Sequence, residues 1–246
     1  MHILITNDDG YNSTGLRILA ETCLEAGHSV LVVAPIVQQS ATSHSMSIEK
    51  PLMAKPFSFG DINGYAVNGF PVDCVRIAPC LTDKNIDFCI AGINDGFNAG
   101  AAVYYSGTDG AAREAAMNYI PSMALSIGSS ANKEMLRGFA KSAVGKICFL
   151  KSNPMPRMCF LNVNSPAVLH EQTKGERMAT ISQGFFTDGF ISRMSPLNEP
   201  YFWPDCRGTY EEAEPGSDVY YLKKGYITYT LVGGYADHNS TLQGFI

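Results

Sequence analysis

Two adjacent aspartates, Asp8 and Asp9, lie one residue after a short apolar segment at residues 3–6. Two carboxylates held side by side repel, and each raises the pKa of the other unless a cation neutralises both. A hard divalent cation with oxygen ligands does this, and Mg²⁺, Mn²⁺ and Ca²⁺ all qualify. The next cationic side chain along the sequence is Arg17. The pair therefore indicates a metal site, and the plain alternative is a turn, because NDDG consists of common turn residues.

Two further loops carry neutral oxygen ligands. Ser40 lies in the polar segment QQSATSHS, and Asn94 lies in GINDGFNAG, each close behind an apolar segment. Taken alone, each is an ordinary loop or turn residue. Asp95, beside Asn94, either adds a further carboxylate or caps the turn.

A fourth segment, YYSGTDGAAREAA, places Ser106, Gly107 and Thr108 just before an alanine-rich helical stretch. Free N–H groups at a helix N-terminus, together with hydroxyl groups, form an anion site. The alternative is that Thr108 only caps the helix, and Asp109 favours this alternative because it would repel a phosphate. The chain has no GxxxxGK[ST] segment, and no GxGxxG follows the first strand. These absences argue against a P-loop NTPase and a dinucleotide oxidoreductase.

The elements that must position these residues alternate between strand and helix. Apolar runs predict five buried strands, at residues 3–6, 30–34, 87–91, 123–127 and 158–163. Helical spacing or composition predicts helices between them, at residues 16–24, 72–81, 109–119 and 135–147. This order predicts an α/β fold with a Rossmann-like, three-layer parallel-sheet core. Ligands of such sheets bind beyond the carboxyl ends of the strands, where the loops described above converge.

The remainder of the chain is more irregular. Residues 48–70 predict a β excursion that turns at Gly64. Seven of the thirteen prolines follow position 150, and residues 164–246 predict an irregular, β-rich C-terminal extension. In it, VYYLKK and YITYTL on either side of Gly225 predict a β-hairpin arm that docks on the main domain or on a neighbouring subunit. We therefore expect a catalytic core at 1–163 and an extension at 164–246, within one structural domain.

Composition excludes several classes of protein. The chain has 246 residues, 46% hydrophobic and 17% charged, with a net charge of -5 and no cluster of Lys or Arg. We expect no nucleic-acid partner, because such proteins carry a basic face. With no secretory signal and no apolar run of about 20 residues, we expect a cytoplasmic protein with no membrane partner. The seven cysteines form no CxxC pair and predict buried free thiols, and the five histidines lack zinc-ligand spacing.

Taken together, the motifs resemble the SurE (survival protein E) family of metal-dependent 5′-nucleotidases. The matching segments follow one another through nearly the whole chain: ILITNDDG, VVAPIVQQSATSHSMS, YAVNGFPVDCVRIA, AGINDGFNAG, VYYSGTDGAAREAA, LNVNSP and GSDVYYLKKGYITYT. NDDG, GIN and YSGT at these spacings form a specific combination, although each alone is weak.

The resemblance implies a role for each candidate residue. One divalent cation per subunit, Mg²⁺ or Mn²⁺ with Ca²⁺ as a non-native substitute, would be bound by Asp8, Asp9, Ser40 and Asn94. The substrate phosphate would contact Asn98, Ser106, Gly107 and Thr108. The implied substrates are nucleoside 5′-monophosphates, with 3′-nucleotides and short polyphosphate cleaved by some members. The implied assembly is a homodimer or homotetramer formed through the C-terminal hairpin.

The chain departs from the family pattern at three places. Ile36 and Val37 replace an acidic and basic pair, Ala41 stands where Gly is common, and Asp95 stands where Arg or a small residue is frequent. None of these changes removes an implied metal ligand. They bear on substrate preference and leave the reaction class unaffected.

The expected mechanism is direct hydrolysis by a metal-activated water, with Asp8 and Asp9 as the catalytic residues. One aspartate ligates the metal, and the other also accepts a proton from the water. Two alternatives stay open at this point. In one, an aspartate attacks phosphorus and forms an aspartyl-phosphate; in the other, the chain is a non-catalytic nucleotide-binding regulator.

Overall fold

A mixed β-sheet forms the centre of the molecule in the computed structural model, which describes residues 1–183, 189–205 and 213–233. Its nine strands, named by their place in the chain, follow the order β3-β4-β2-β1-β5-β6-β7-β11-β8. They are β1 (His2–Thr6), β2 (Ser29–Pro35), β3 (Ala54–Phe59), β4 (Ile62–Val67), β5 (Phe88–Asp95), β6 (Ser122–Ile127), β7 (Cys159–Ser165), β8 (Glu176–Met178) and β11 (Ile227–Gly233). A separate two-stranded antiparallel sheet contains β9 (Gly189–Met194) and β10 (Pro200–Asp205).

The six neighbouring strands from β4 to β7 are all parallel. Five of them are the strands that the sequence predicts for the parallel sheet, and β4, from the predicted β excursion, adds a sixth. The antiparallel pairings of the main sheet lie outside this set, where β3 pairs with β4 and β11 pairs with β7. The carboxyl ends of β2, β1 and β5 therefore lie side by side at one edge. This edge carries the loops that contain the candidate residues.

Helices cover both faces of the sheet. They are α1 (Thr14–Glu25), α2 (Pro71–Ile77), α3 (Ala102–Tyr105), α4 (Gly107–Met117), α5 (Lys133–Val144), α6 (Ile147–Ser152) and α7 (Asp218–Lys223). Side chains alternate along each strand, so Ile3 and Ile5 pack in the core with α1 and α5. Leu4 packs in the second core, with α2 and α4. The three-layer α/β arrangement is thereby confirmed.

The end of β5 and the turn between β3 and β4 differ from the sequence prediction. Strand β5 extends to Asp95, because an irregularity between Ala91 and Asn94 lets pairing with β6 resume. Gly92 allows this close approach, since a Cβ there would lie 2.5 Å from the backbone oxygen of Leu125. The predicted turn at Gly64 is wrong: that residue lies within β4, and the turn is at residues 60–61.

The predicted position of the C-terminal hairpin is also wrong. VYYLKK belongs to helix α7, which begins after Ser217, whose hydroxyl accepts a hydrogen bond from the Tyr220 N–H. YITYTL contributes to β11, a strand of the main sheet. The extension does contain a hairpin, but β9 and β10 form it. The part of the predicted extension at 184–188, 206–212 and 234–246 lies outside the described residues.

The six cysteines of the described residues are free, as expected. Cys23, Cys74 and Cys89 are buried, whereas Cys80 and Cys148 are exposed, contrary to expectation. The seventh, Cys206, lies outside the described residues. Within the described ranges, no helix combines the length and apolar character needed to cross a bilayer.

Candidate active site

Asp8 is held between the end of β1 and the start of α4. Its side chain is nearly buried, and its Oδ1 accepts a hydrogen bond from the Thr108 hydroxyl at 2.5 Å. Burial raises the pKa of Asp8, while the Thr108 hydroxyl and the Gly107 N–H oppose this rise by stabilising the carboxylate. The carboxylate therefore lies at the positive end of the α4 dipole.

Asp9 faces the other side of the same edge. Its Oδ2 accepts a hydrogen bond from the Asp95 N–H at 3.3 Å, and its side chain is half-buried. Burial, and then the charge of Asp8, raise the pKa of Asp9 to about 6. A bound cation would reverse both effects, because it stabilises the ionised forms of the two carboxyls together.

The loop that carries Ser40 is fixed at both ends. The Gln39 N–H donates to the Asp8 carbonyl oxygen at 2.6 Å, and the Ser43 N–H donates to the Tyr105 carbonyl oxygen at 2.9 Å. Ser40 itself is exposed, and its Oγ accepts a hydrogen bond from Gln38 Nε2 at 2.9 Å. The residue before Ser40 is thus hydrogen-bonded to the backbone of Asp8. Among the described residues, no hydrogen bond joins the side chains of Ser40 and Asp8.

Asn94 supplies a neutral oxygen at the same edge. Its Nδ2 donates to the Gly96 carbonyl oxygen at 2.9 Å, which leaves the amide oxygen without a hydrogen bond from any described residue. The described residues hold no group of three or more His, Cys, Asp and Glu side chains suited to a metal. Two carboxylates with amide and hydroxyl oxygens nevertheless fit a hard divalent cation such as Mg²⁺ or Mn²⁺.

The start of α4 differs from the sequence prediction. Ser106, and not Thr108, caps the helix, since its Oγ accepts a hydrogen bond from the Asp109 N–H at 3.0 Å. Thr108 instead donates to Asp8. A Cβ at Gly107 would lie 3.0 Å from both the Asp8 Cβ and the Thr42 Oγ1. A larger residue at this position would push these neighbours apart.

Asn98 is held by a network of residues that the sequence prediction missed. Its N–H donates to Asn164 Oδ1 at 2.9 Å, and its Nδ2 donates to Ser126 Oγ at 3.0 Å. The Asn98 carbonyl oxygen accepts from Asn162 Nδ2 at 2.6 Å and from Asn164 Nδ2 at 3.2 Å. The available signal was the alternation of polar residues in LNVNS, which places both asparagines on one face of β7.

Asp109 is fully buried beneath the start of α4. Neither of its carboxyl oxygens has a hydrogen-bond partner among the described residues. Burial raises the pKa of Asp109 to about 8, so the side chain is mostly protonated at neutral pH. A protonated Asp109 adds no negative charge to the anion site, which removes the objection that its sequence position suggests.

A cavity of about 580 Å³ opens beside Asp9. It lies between the end of β5 and the first turns of α1 and α5. Polar side chains and the buried aliphatic residues Ile93, Ile127 and Leu136 line it. This volume lies in the range typical of small-molecule sites, about 300–1,000 Å³.

Comparison with known proteins identifies the family to which this chain belongs. Residues 3–188 match the family model described as survival protein SurE. The chain belongs to the SurE family. This membership confirms the resemblance found in the sequence motifs.

SurE relatives extend the match to nearly the whole chain. A protein named 5′-nucleotidase SurE from Nitratidesulfovibrio vulgaris (strain Miyazaki F) is 38% identical over 242 residues, 98% of this chain and 90% of the relative. A protein of the same name from Petrotoga mobilis is 37% identical over 233 residues, 94% of this chain and 92% of the relative. The crystal structure of SurE protein from Aquifex aeolicus superposes with a TM-score of 0.83 and 29% identity, covering 99% of this chain and 97% of that one.

Proposed function

We propose that this chain is a 5′-nucleotidase, a phosphoric monoester hydrolase that converts nucleoside 5′-monophosphates to nucleoside and phosphate with the help of a divalent cation. The observation that carries the proposal is the placement of Asp8 and Asp9. They lie at the carboxyl end of β1, opposite the start of α4, in a chain whose relatives are named 5′-nucleotidase SurE.

The proposed metal ligands are Asp8, Asp9, Ser40 and Asn94. Support comes from their common edge of the sheet, from the raised pKa of both carboxyls and from the amide oxygen of Asn94, which accepts no hydrogen bond from a described residue. Mg²⁺ and Mn²⁺ are the preferred ions, and Ca²⁺ shares their preference for oxygen ligands. When bound, the ion supplies charge neutralisation for the phosphate and a water of lowered pKa.

The protein's own groups have separate tasks. The α4 N-terminus, with Ser106, Gly107 and Thr108, provides hydrogen bonds for phosphate oxygens and their developing charge. Asn98 adds a further donor, since one N–H of its amide is left after the bond to Ser126. We assign proton acceptance from water to Asp9, because Asp8 is nearly buried while Asp9 is half-buried and faces the open cavity.

We also propose that the chain self-associates through the β9–β10 hairpin. Phe190, Phe202 and Trp203 are each 60% exposed or more, although they are large and apolar. Exposed apolar surface of this extent favours burial against another molecule. In this proposal the β9–β10 hairpin has the oligomerisation role that the sequence prediction gave to residues 219–231.

Replacing Asp8 tests the proposed function. We expect the wild type to release phosphate from AMP with Mn²⁺ or Mg²⁺ and to lose this activity in excess chelator. Asp8→Asn should lower kcat/KM by at least about a hundredfold, the range typical of lost catalytic groups. Asp61→Asn is the matched control, because Asp61 is an exposed carboxylate in the β3–β4 turn. Full activity of the Asp8 variant would contradict the assignment.

Two measurements separate the alternative mechanisms. Rapid quenching with ³²P-labelled AMP would trap a phosphoprotein only if an aspartate attacks phosphorus. We expect none, because the direct mechanism transfers phosphate to water. A nucleotide-binding regulator would bind AMP without releasing phosphate under any of the metal conditions.

A further inference from the structure

The cavity beside Asp9 has unused hydrogen-bonding groups on its rim. Asp95 and Lys133 both line it, and neither the carboxylate nor the ammonium group forms a hydrogen bond or ion pair within the described parts of the chain. Asn132 accepts a hydrogen bond from the Met135 N–H through Oδ1, which leaves its amide hydrogens available. The rim therefore offers both donors and acceptors to a ligand.

The charge of the cavity indicates what kind of ligand fits. Asp95 contributes one carboxylate, against the single ammonium of Lys133, while the charge of Asp9 is assigned to the proposed metal site. This balance gives a second phosphate no net attraction, whereas a neutral molecule with hydroxyl groups can donate hydrogen bonds to the Asp95 carboxylate. Vicinal hydroxyls of a ribose donate well to a carboxylate, as in the ribose contact of dinucleotide-binding folds.

The buried side of the cavity is apolar. Ile93 and Ile127 are each 1% exposed, and Leu136 is nearly buried. Aliphatic side chains of this kind provide a surface against which a planar base packs. The cavity thus combines a carboxylate for a sugar with an apolar wall for a base, within about 580 Å³.

We propose that this cavity binds the nucleoside part of the substrate and that Asp95 binds the ribose hydroxyls. The proposal rests on the proposed 5′-nucleotidase function and specifies its substrate. Asp8 faces α4 through Thr108, whereas Asp9 faces Asp95 and the cavity. The phosphate and nucleoside ends of one nucleotide would therefore lie on opposite sides of the aspartate pair. Asp95 is a specificity residue, and the preference for ribose over deoxyribose depends on it.

Steady-state kinetics of Asp95→Asn test this assignment. The substrates are AMP, 2′-deoxyAMP and p-nitrophenyl phosphate, which has no sugar. We expect the wild type to prefer AMP to 2′-deoxyAMP, and the variant to lose roughly tenfold to a hundredfold in kcat/KM for AMP. Activity on p-nitrophenyl phosphate should stay within about twofold, because the hydrolytic groups are intact. Glu134→Gln is the matched control, since Glu134 is an exposed carboxylate in the first turn of α5 that does not line the cavity.

The pattern across substrates decides the result. If kcat/KM of Asp95→Asn falls equally for all three substrates, Asp95 acts at the hydrolytic centre and the proposal is wrong. If kcat/KM falls for none of them, Asp95 does not contact the sugar and the proposal is equally wrong. Calorimetric titration with adenosine gives an independent measurement, in which the wild type should bind at least about tenfold more tightly than Asp95→Asn. Adenosine binding that depends on Asp95, in a protein that releases no phosphate, would refute the proposed function and support the subsite.

Discussion

Asp8 and Asp9 are neighbours in the sequence but have different surroundings. Asp8 is nearly buried and bonded to Thr108, whereas Asp9 is half-buried and faces a cavity. The end of a strand makes this difference, because successive side chains there point to opposite sides. Two carboxyls from one dipeptide can therefore act on two parts of one substrate.

Asp109 is a different case, because it is buried with no hydrogen-bond partner among the described residues. Its pKa is raised by burial to about 8, from an ordinary value near 4. The folded chain keeps the proton up to about pH 8, whereas the unfolded chain loses it above about pH 4. Unfolding therefore releases a proton between these values, and stability falls as the pH rises through this window.

Asp109→Asn removes this proton release. We expect the free energy of unfolding of the variant, relative to the wild type, to increase by about 2 kcal/mol or more between pH 5 and pH 8. Urea denaturation at the two pH values measures the difference. Asp61→Asn, at an exposed position, should have the same free energy of unfolding as the wild type at both pH values. An equal pH dependence in wild type and Asp109→Asn would show that Asp109 is ionised in the folded chain.

At the scale of elements, the loop carrying Ser40 depends on its contact with α4. The His44 Nε2 lies 2.8 Å from Glu114 Oε2 on α4, and the Ser43 hydroxyl donates to the Tyr104 carbonyl oxygen. Gly110 lets the loop backbone approach the helix, since a Cβ there would lie 2.3 Å from the Ser43 carbonyl oxygen. The position of Ser40 is thus set by a glycine on another element.

Gly110→Ala should displace this loop and weaken metal binding. We expect the metal concentration for half-maximal phosphate release to rise by about tenfold, the lower end of losses seen when residues supporting a metal ligand change. Titration of activity with Mn²⁺ measures this shift. In the control Gly145→Ala, the new Cβ lies no closer than 3.3 Å to its neighbours, and we expect wild-type behaviour. An unchanged metal requirement in Gly110→Ala would mean that Ser40 does not contribute to the site.

The sequence predicts well those elements whose secondary structure is determined by their own local residue pattern. Strands β1, β2, β5, β6 and β7 are apolar runs, and the candidate residues could be found because they follow such runs. VYYLKK misleads because its local pattern suits a strand, while distant contacts of Asp218 hold it as a helix. Asp218 accepts hydrogen bonds from the N–H groups of Gly100 and Ser182, which are 118 and 36 residues away in the sequence. The Asn98 network is similarly non-local, since Asn164 is 66 residues away.

At the scale of the whole molecule, the β9–β10 hairpin is the most apolar exposed element of the described chain. It carries Phe190, Phe202 and Trp203 on strands that pair only with each other among the described residues. Isolated two-stranded hairpins are at best marginally stable in water. Contact with a second copy of the chain would stabilise the β9–β10 hairpin.

Replacing Phe202 and Trp203 together with Ser should reduce self-association. We expect the wild type to elute as a dimer or tetramer and the double variant to shift towards the monomer, because aromatic side chains dominate interface energies. Size-exclusion chromatography with light scattering measures the mass. Tyr119→Ser is the control, as Tyr119 is an exposed aromatic residue remote from the hairpin in sequence. A monomeric wild type, or an unchanged mass in the double variant, would contradict the proposed interface.

The position of β11 in the sheet has a consequence for the synthesis of the protein. β11 lies between β7 and β8, with Ile227 paired to Glu176 and Leu231 paired to Leu161. On the ribosome, the outer edge of β7 must stay open until residues 227–233 have emerged, because β11 is the strand that pairs with this edge. β8 waits for the same strand, since it has no other partner among the described residues. Open strand edges are prone to wrong pairing, and long-range pairings form slowly. The nascent chain therefore completes its main sheet only after residues 227–233 have been translated, long after β7 itself.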